Sequence, residues 1–305
     1  MNKLFIALFL PFQLMAELVE IDFKVVDYAN NPLPNVQIDF YTDGKILAPY
    51  IKSPKKHLSL TTDKDGRASD RFHCWDGFVH CYFKKVGYYP ISVRDIMYGA
   101  SYNARTNTTT FATNLQQVAV KMKPIVNPID MIHHRIGKGD IKYPSANGAW
   151  GFDLQVFDWV HPWGSGIVAD FIVHYAWVEN AELMEAKGYI EFPVSSSGAY
   201  VKMMDDCTQF PIEHQVNTNE QFISTFPFSN HTNKKTGKYS AQRILSDHEY
   251  LVIRSRVKKD RDGNIIEAFY SHIKGPFMFG KYSVIGDCYF NPNKNDLNLE
   301  YVQPQ

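Results

Sequence analysis

Short runs in which apolar and polar residues alternate dominate this chain, and the period of two is that of strands with one buried face. Val19, Ile21, Phe23 and Val25 alternate with polar neighbours, and 36–41 (Val36, Ile38, Phe40) repeats the pattern. Residues 78–86 and 117–122 continue the series. Turn chemistry punctuates the runs: Asn30-Asn31-Pro32-Leu33-Pro34-Asn35, Thr62-Asp63-Lys64-Asp65-Gly66-Arg67 and Gly87-Tyr88-Tyr89-Pro90. Further along, 167–177, 189–193, 250–257, 265–273 and 282–290 read as strands. Residues 250–273 form a hairpin whose turn carries Asp262-Gly263. The one helix-like window is 177–187, too short to stand alone. Cys74 and Cys81 flank Trp75-Asp76-Gly77, which reads as the turn of a further hairpin. Short strands with regular punctuation predict an all-β protein: an N-terminal β-sandwich of the transthyretin-like or Ig-like kind, then a mostly antiparallel β-sandwich domain.

Four segments follow. Residues 1–16 pair one Lys with an apolar stretch and a small residue, Ala16, at a plausible cleavage point, the layout of a signal peptide. Residues 17–123 are the first β domain. Residues 124–150, opened by Pro124 and Pro128, read as a linker because Pro favours extended backbone. Residues 151–305 are the second β domain. Export makes the location periplasmic or extracellular. No later run is long enough to span a bilayer.

In the first domain, Val26-Asp27, Asn31-Pro32-Leu33-Pro34-Asn35-Val36, Thr62-Asp63-Lys64-Asp65-Gly66-Arg67 and Val86-Gly87-Tyr88 stand in order. In these strings residues 18–123 resemble the carboxypeptidase regulatory-like domain, a transthyretin-like sandwich. The resemblance departs at 47–57 and 95–114. It implies a structural or binding module without catalytic residues. No His-x-x-Glu zinc pair occurs anywhere in the chain. The second half, through Gly151-Phe152-Asp153-Leu154, 158–164 and 291–296, resembles exported bacterial proteins to which no activity is attached.

Composition narrows the partners. Lys plus Arg and Asp plus Glu are 32 each, so there is no basic footprint for nucleic acid or an anionic membrane. Aromatic residues make up 14%. The four cysteines, Cys74, Cys81, Cys207 and Cys288, permit two disulfides in an oxidising compartment. Cys207 with Cys288 is the natural long-range pair. The register of a 74–81 hairpin does not place those two opposite each other, which leaves that bridge open.

The densest chemistry lies between 158 and 170. Asp158, Trp159, His161, Trp163 and Asp170 fall within thirteen residues, among Gly164, Ser165 and Gly166. Indole faces stack on sugar rings, and Asp and His bond hydroxyls, so these five are candidate ligand-binding residues. Trp in a β-sandwich is more commonly a core residue. Asp153, Asp158, Asp170, Asp205 and Asp206 could supply a glycosidase carboxylate pair. The two Asp-x-Asp-Gly strings lack the remaining ligands of a calcium loop, and both sit in turns. No catalytic residue, metal site or cofactor is assigned. The reading is an exported, non-enzymatic binding or surface protein with a glycan or envelope-protein partner. The alternative is a secreted glycan hydrolase.

Overall fold

The computed structural model describes residues 17–42, 57–74, 78–97, 100–103, 108–111, 116–204, 214–246, 248–279 and 283–301. The expected signal peptide, together with Cys207, Asp205 and Asp206, lies outside them. The described residues contain strands and no helix, and the chain divides into two compact units at Ile125 and Val126.

The first unit holds β1 (Glu17–Asp27), β2 (Gln37–Thr42), β3 (His57–Thr61), β4 (Arg67–Cys74), β5 (Phe78–Lys84), β6 (Ile91–Met97), β7 (Ala100–Asn103), β8 (Thr108–Phe111) and β9 (Gln116–Met122). One sheet runs β4-β1-β9, with β1 parallel to β9; a second runs β3-β2-β5-β6; β7 and β8 pair with each other. The alternation read from 19–25 is the inward face: Ile21, Phe23 and Val25 are fully buried. Phe23 meets Phe83 edge-on at 5.6 Å, joining the two sheets. The expected 74–81 hairpin is not formed. β4 pairs with β1 while β5 pairs with β2 and β6, so Cys74 and Cys81 belong to different sheets.

The second unit holds β10 (Ile132–Lys142), β11 (Asn147–Asp153), β12 (Asp158–Trp159), β13 (Phe171–Glu179), β14 (Leu183–Glu191), β15 (Gly198–Met203), β16 (Thr225–Asn233), β17 (Tyr239–Gln242), β18 (Glu249–Lys259), β19 (Ile265–Phe279) and β20 (Ser283–Phe290). Its sheets run β10-β20-β19-β18-β15 and β12-β11-β13-β14-β16-β17. Between them lies a core of Trp150, Phe152, Phe171, Val173, Leu251, Ile253, Ile273, Cys288 and Phe290, among others. A second cluster, including Tyr200, Tyr250, Val252, Tyr270 and Leu299, covers the other face of the five-stranded sheet. Burial on both faces explains why 250–253 is an unbroken apolar run.

Three expectations change here. Residues 132–142, expected in the linker, form the strand β10, antiparallel to β20. Tyr143 then stacks on Tyr175 at 4.0 Å, so the second unit is built from well before residue 151. The helix-like window 177–187 is the β13–β14 hairpin, in which Ala186 faces the core. Cys81 and Cys288 are buried free thiols, so neither the expected Cys207–Cys288 pair nor the bridge left open between Cys74 and Cys81 is formed. Cys288 points into the core between the sheets. Burial pushes the Cys81 thiol up to about 12 and Cys288 well above its ordinary value.

Candidate functional site

The residues singled out between 158 and 170 sit at the end of the six-stranded sheet, where β11 gives way to β13. Their side chains part company there. Trp159 is 2% exposed, packs edge-on against Phe152 and Trp150, and donates its indole N–H to the Lys142 carbonyl at 2.7 Å. Asp158 holds the loop: Oδ1 accepts from the Trp159 backbone N–H, and Oδ2 accepts from Ser165 N and Oγ at 2.8 and 2.9 Å. Gly164 is required under this carboxylate, since a Cβ there would stand 2.6 Å from Asp158 Cγ. His161 and Trp163 remain outside, and Trp163 is 57% exposed.

Asp170 is 2% exposed and belongs to a polar cluster that the sequence did not announce. Its partner is Arg256 on β18. Arg256 Nε and Nη2 donate to the two Asp170 oxygens at 2.9 and 3.0 Å. Ser255 Oγ and the Leu154 N–H complete that carboxylate at 2.6 and 2.7 Å. The same guanidinium reaches Asp153 Oδ1 at 2.7 Å and Gln155 Oε1 at 2.7 Å, and lies over the Phe290 ring at 5.0 Å. Arg256 can do this because the β18–β19 register shifts between Ser255 and Lys258, and Arg256 adopts φ +51 at that bulge. A bulge re-aims a side chain that regular pleating would send elsewhere.

Asp153 carries the structural burden of the loop. Oδ1 also accepts from the Gln155 and Val156 N–H groups at 2.9 and 3.2 Å, and Oδ2 from those of Ile167 and Val168 at 2.9 and 3.0 Å. Burial works against its charge, but the Val168 and Ile167 N–H groups and Arg256 outweigh it and hold the carboxyl below its ordinary value. Asp170, more deeply buried, is raised by desolvation despite Arg256 and Ser255. The two carboxylates therefore share one arginine with opposite shifts, and their other bonds go to backbone N–H groups and the Ser255 hydroxyl.

The consequence appears on the outside. The backbone groups bound by Asp153 belong to the residues that display Val156, Ile167 and Val168, which are exposed with Trp163; Ile167 reaches 81%. Val156, Ile167 and Val168 thus stand in solvent on backbone bonded to a buried ionic anchor, and Trp163 is exposed on the loop that Asp158 closes. Of the five candidate residues, Trp159 and Asp170 face inward, Asp158 holds the loop, and His161 and Trp163 reach solvent. Arg256 and Ile167 were not among the candidates, and Asp153 was named only as one of the carboxylates for a glycosidase pair. The available signal was a pair of arginines, Arg254 and Arg256, inside a strand otherwise reading as buried.

The Asp-x-Asp-Gly strings are turns. Asp63 Oδ1 accepts from Asp65 and Arg67 N–H, and Asp260 Oδ1 from Asp262 and Asn264 N–H. Among the described residues, no group of three His, Cys, Asp or Glu could hold a metal ion. No helix among them is long and apolar enough to cross a membrane.

Fold and site together describe an all-β protein of two units, the second carrying a loop end braced from within. No family model and no curated protein matches the chain. Among solved structures it is similar to 3-chlorocatechol 1,2-dioxygenase from Rhodococcus opacus at 13% identity, over 36% of this chain and 61% of that one, with a TM-score of 0.27. The chain thus spans about three fifths of that enzyme's length. A DUF3823 family protein from Parabacteroides merdae is similar over 94% of this chain and 100% of its own, at 10% identity and a TM-score of 0.23. A shaft pilin variant from Lactobacillus rhamnosus GG matches over 94% and 95%, at 9% identity and 0.22. These likenesses are faint in sequence and in shape, and none brings an activity to this chain.

Proposed function

We propose that this is an exported, non-catalytic recognition protein that docks on another protein through the loop end of its second unit. The observation that carries the reading is the display of Ile167, Val168 and Val156 in solvent on backbone that Asp153 holds in place, with Trp163 exposed on the adjoining loop that Asp158 closes. Exposed apolar side chains grouped together mark interaction sites. A tip already ordered before contact loses less conformational freedom on binding. A central Trp is typical of interface residues whose truncation costs most.

A sugar-binding role for this loop is less well supported. The carboxylates that would bond hydroxyls accept from the protein itself, leaving His161 as the polar group beside Trp163. The hydrolase reading weakens for the same reason: Asp153 and Asp170 share Arg256 rather than facing a cleft. Export rests on residues 1–16, and the first unit acts as a spacer or docking module, in keeping with the structural or binding role that its resemblance implies.

A photo-crosslinking residue placed at 163, in the producing cell, tests this. A discrete protein adduct is expected from position 163, is absent from a control at exposed Val178, and disappears with Ile167→Asp. Saturable glycan binding that Trp163→Ala abolishes, with no protein adduct, would overturn it.

A further inference from the structure

A second feature of the same unit lies on the six-stranded sheet, away from the loop end, and owes nothing to the docking reading. Directly paired residues share a face of a sheet. Gly148, Tyr175, Gly188 and Phe228 form one row across four strands. Tyr175 and Phe228 are core residues, so the side chains of this row point inward. The flanking rows point outward: His174 and Tyr189 on one side, Ala176 and Lys187 on the other. Between the two outward rows, over the backbone of the inward one, the surface sinks into a cavity of about 430 Å³ lined by all eight residues. That volume is within the range of small-molecule sites.

The walls have a definite polarity. His174 and Tyr189 are stacked, 4.2 Å between centroids and 13° from parallel. They are partners on neighbouring strands, so their common normal runs across the strands, along the trough. The trough therefore meets ring edges, not faces. Aromatic edges are the electropositive part of the ring. The opposite wall carries the Lys187 ammonium, whose nearest charged partner is Glu185 at 3.6 Å. Glu191 is turned to His174, accepting or sharing a proton with Nε2 at 2.9 Å. An apolar floor between electropositive edges and a cation complements the electron-rich face of a flat aromatic ring. It is a poor match to a saturated ring of the same size.

We infer that this trough is a binding site for a planar aromatic ring of the phenol or indole class, seated face-on against the His174 and Tyr189 edges and under Lys187. Ligand-observed NMR on the full chain tests it with 4-methylphenol and indole as probes, and 4-methylcyclohexanol and methyl β-glucopyranoside as controls. Both aromatic probes should bind saturably, and 4-methylcyclohexanol at least about fivefold more weakly, as the loss of edge and cation contacts implies. Lys187→Met, which keeps the stem and removes the charge, should weaken the aromatic probes about threefold and leave the cyclohexanol unchanged. Ala176→Phe, which fills the trough from an outward position, should abolish binding, while Trp163→Ala leaves it within about twofold. Equal affinity for 4-methylphenol and 4-methylcyclohexanol, sugar binding without aromatic binding, no binding of either aromatic probe, or binding that survives Ala176→Phe would each overturn the assignment.

Discussion

Arg256 links three side chains at the loop end of the second unit. It is the cation for two buried carboxylates and also bonds Gln155. Removing one partner of a buried ion pair leaves a desolvated charge behind, which typically costs about 3–5 kcal/mol. Arg256→Ala should therefore lower the stability of the second unit by that order in urea unfolding. Arg256→Lys should recover little, since an ammonium cannot span both carboxylates as the planar fork does. A second prediction concerns acid. Asp153 is held below the roughly 3.9 of an unfolded aspartate. Its ionised form therefore stabilises the fold fully above that value, and this contribution is lost as the pH falls through the lower folded value. Asp170, raised by burial, has the opposite slope just above pH 3.9 or so. Asp153→Asn should be less stable at neutral pH and show a flatter loss of melting temperature below about pH 4. An acid limb as steep as that of the unaltered protein would show that Asp153 is not the group responsible.

At the level of elements, legibility followed burial. Strands with one wet face were plain: 19–25 alternates, and Ile21, Phe23 and Val25 are the buried positions. The β18–β19 hairpin was plain because its turn residues are diagnostic, and Asp260 caps that turn as Asp chemistry predicts. The window 177–187 misled because Ala, Glu, Leu and Met favour helix, yet Ala186 sits in a ladder between Trp177 and Asn230, and Val178 pairs with Glu185. Tertiary pairing overrode local propensity there. Cys74 and Cys81 misled for a related reason. Asp-Gly between two strands suggests a hairpin, but a chain can leave one sheet for another at the same spot, and local residues do not distinguish the two.

For the whole molecule, the division at Ile125 and Val126 makes a direct prediction. A fragment of residues 126–305 should melt cooperatively on its own, because it keeps β10 against β20 and Tyr143 against Tyr175. A fragment of 151–305, cut where the composition suggested a domain start, lacks β10, Tyr143 and the core residue Trp150. It should show no cooperative transition by circular dichroism. Equal melting of the two fragments would return 126–150 to the role of a linker.

By itself the sequence determined the all-β character, most strand positions and the polar turns, because each depends on residues close together in the chain. The tertiary structure decided which of the candidate residues face solvent. Asp153 and Asp170 meet Arg256 across some hundred residues, and only the bulge in β18 turns that guanidinium toward them. That meeting removes the two carboxylates from ligand chemistry and leaves Trp163 and Ile167 outside. The trough beside His174 and Tyr189 is likewise a product of cross-strand register, which no stretch of sequence contains.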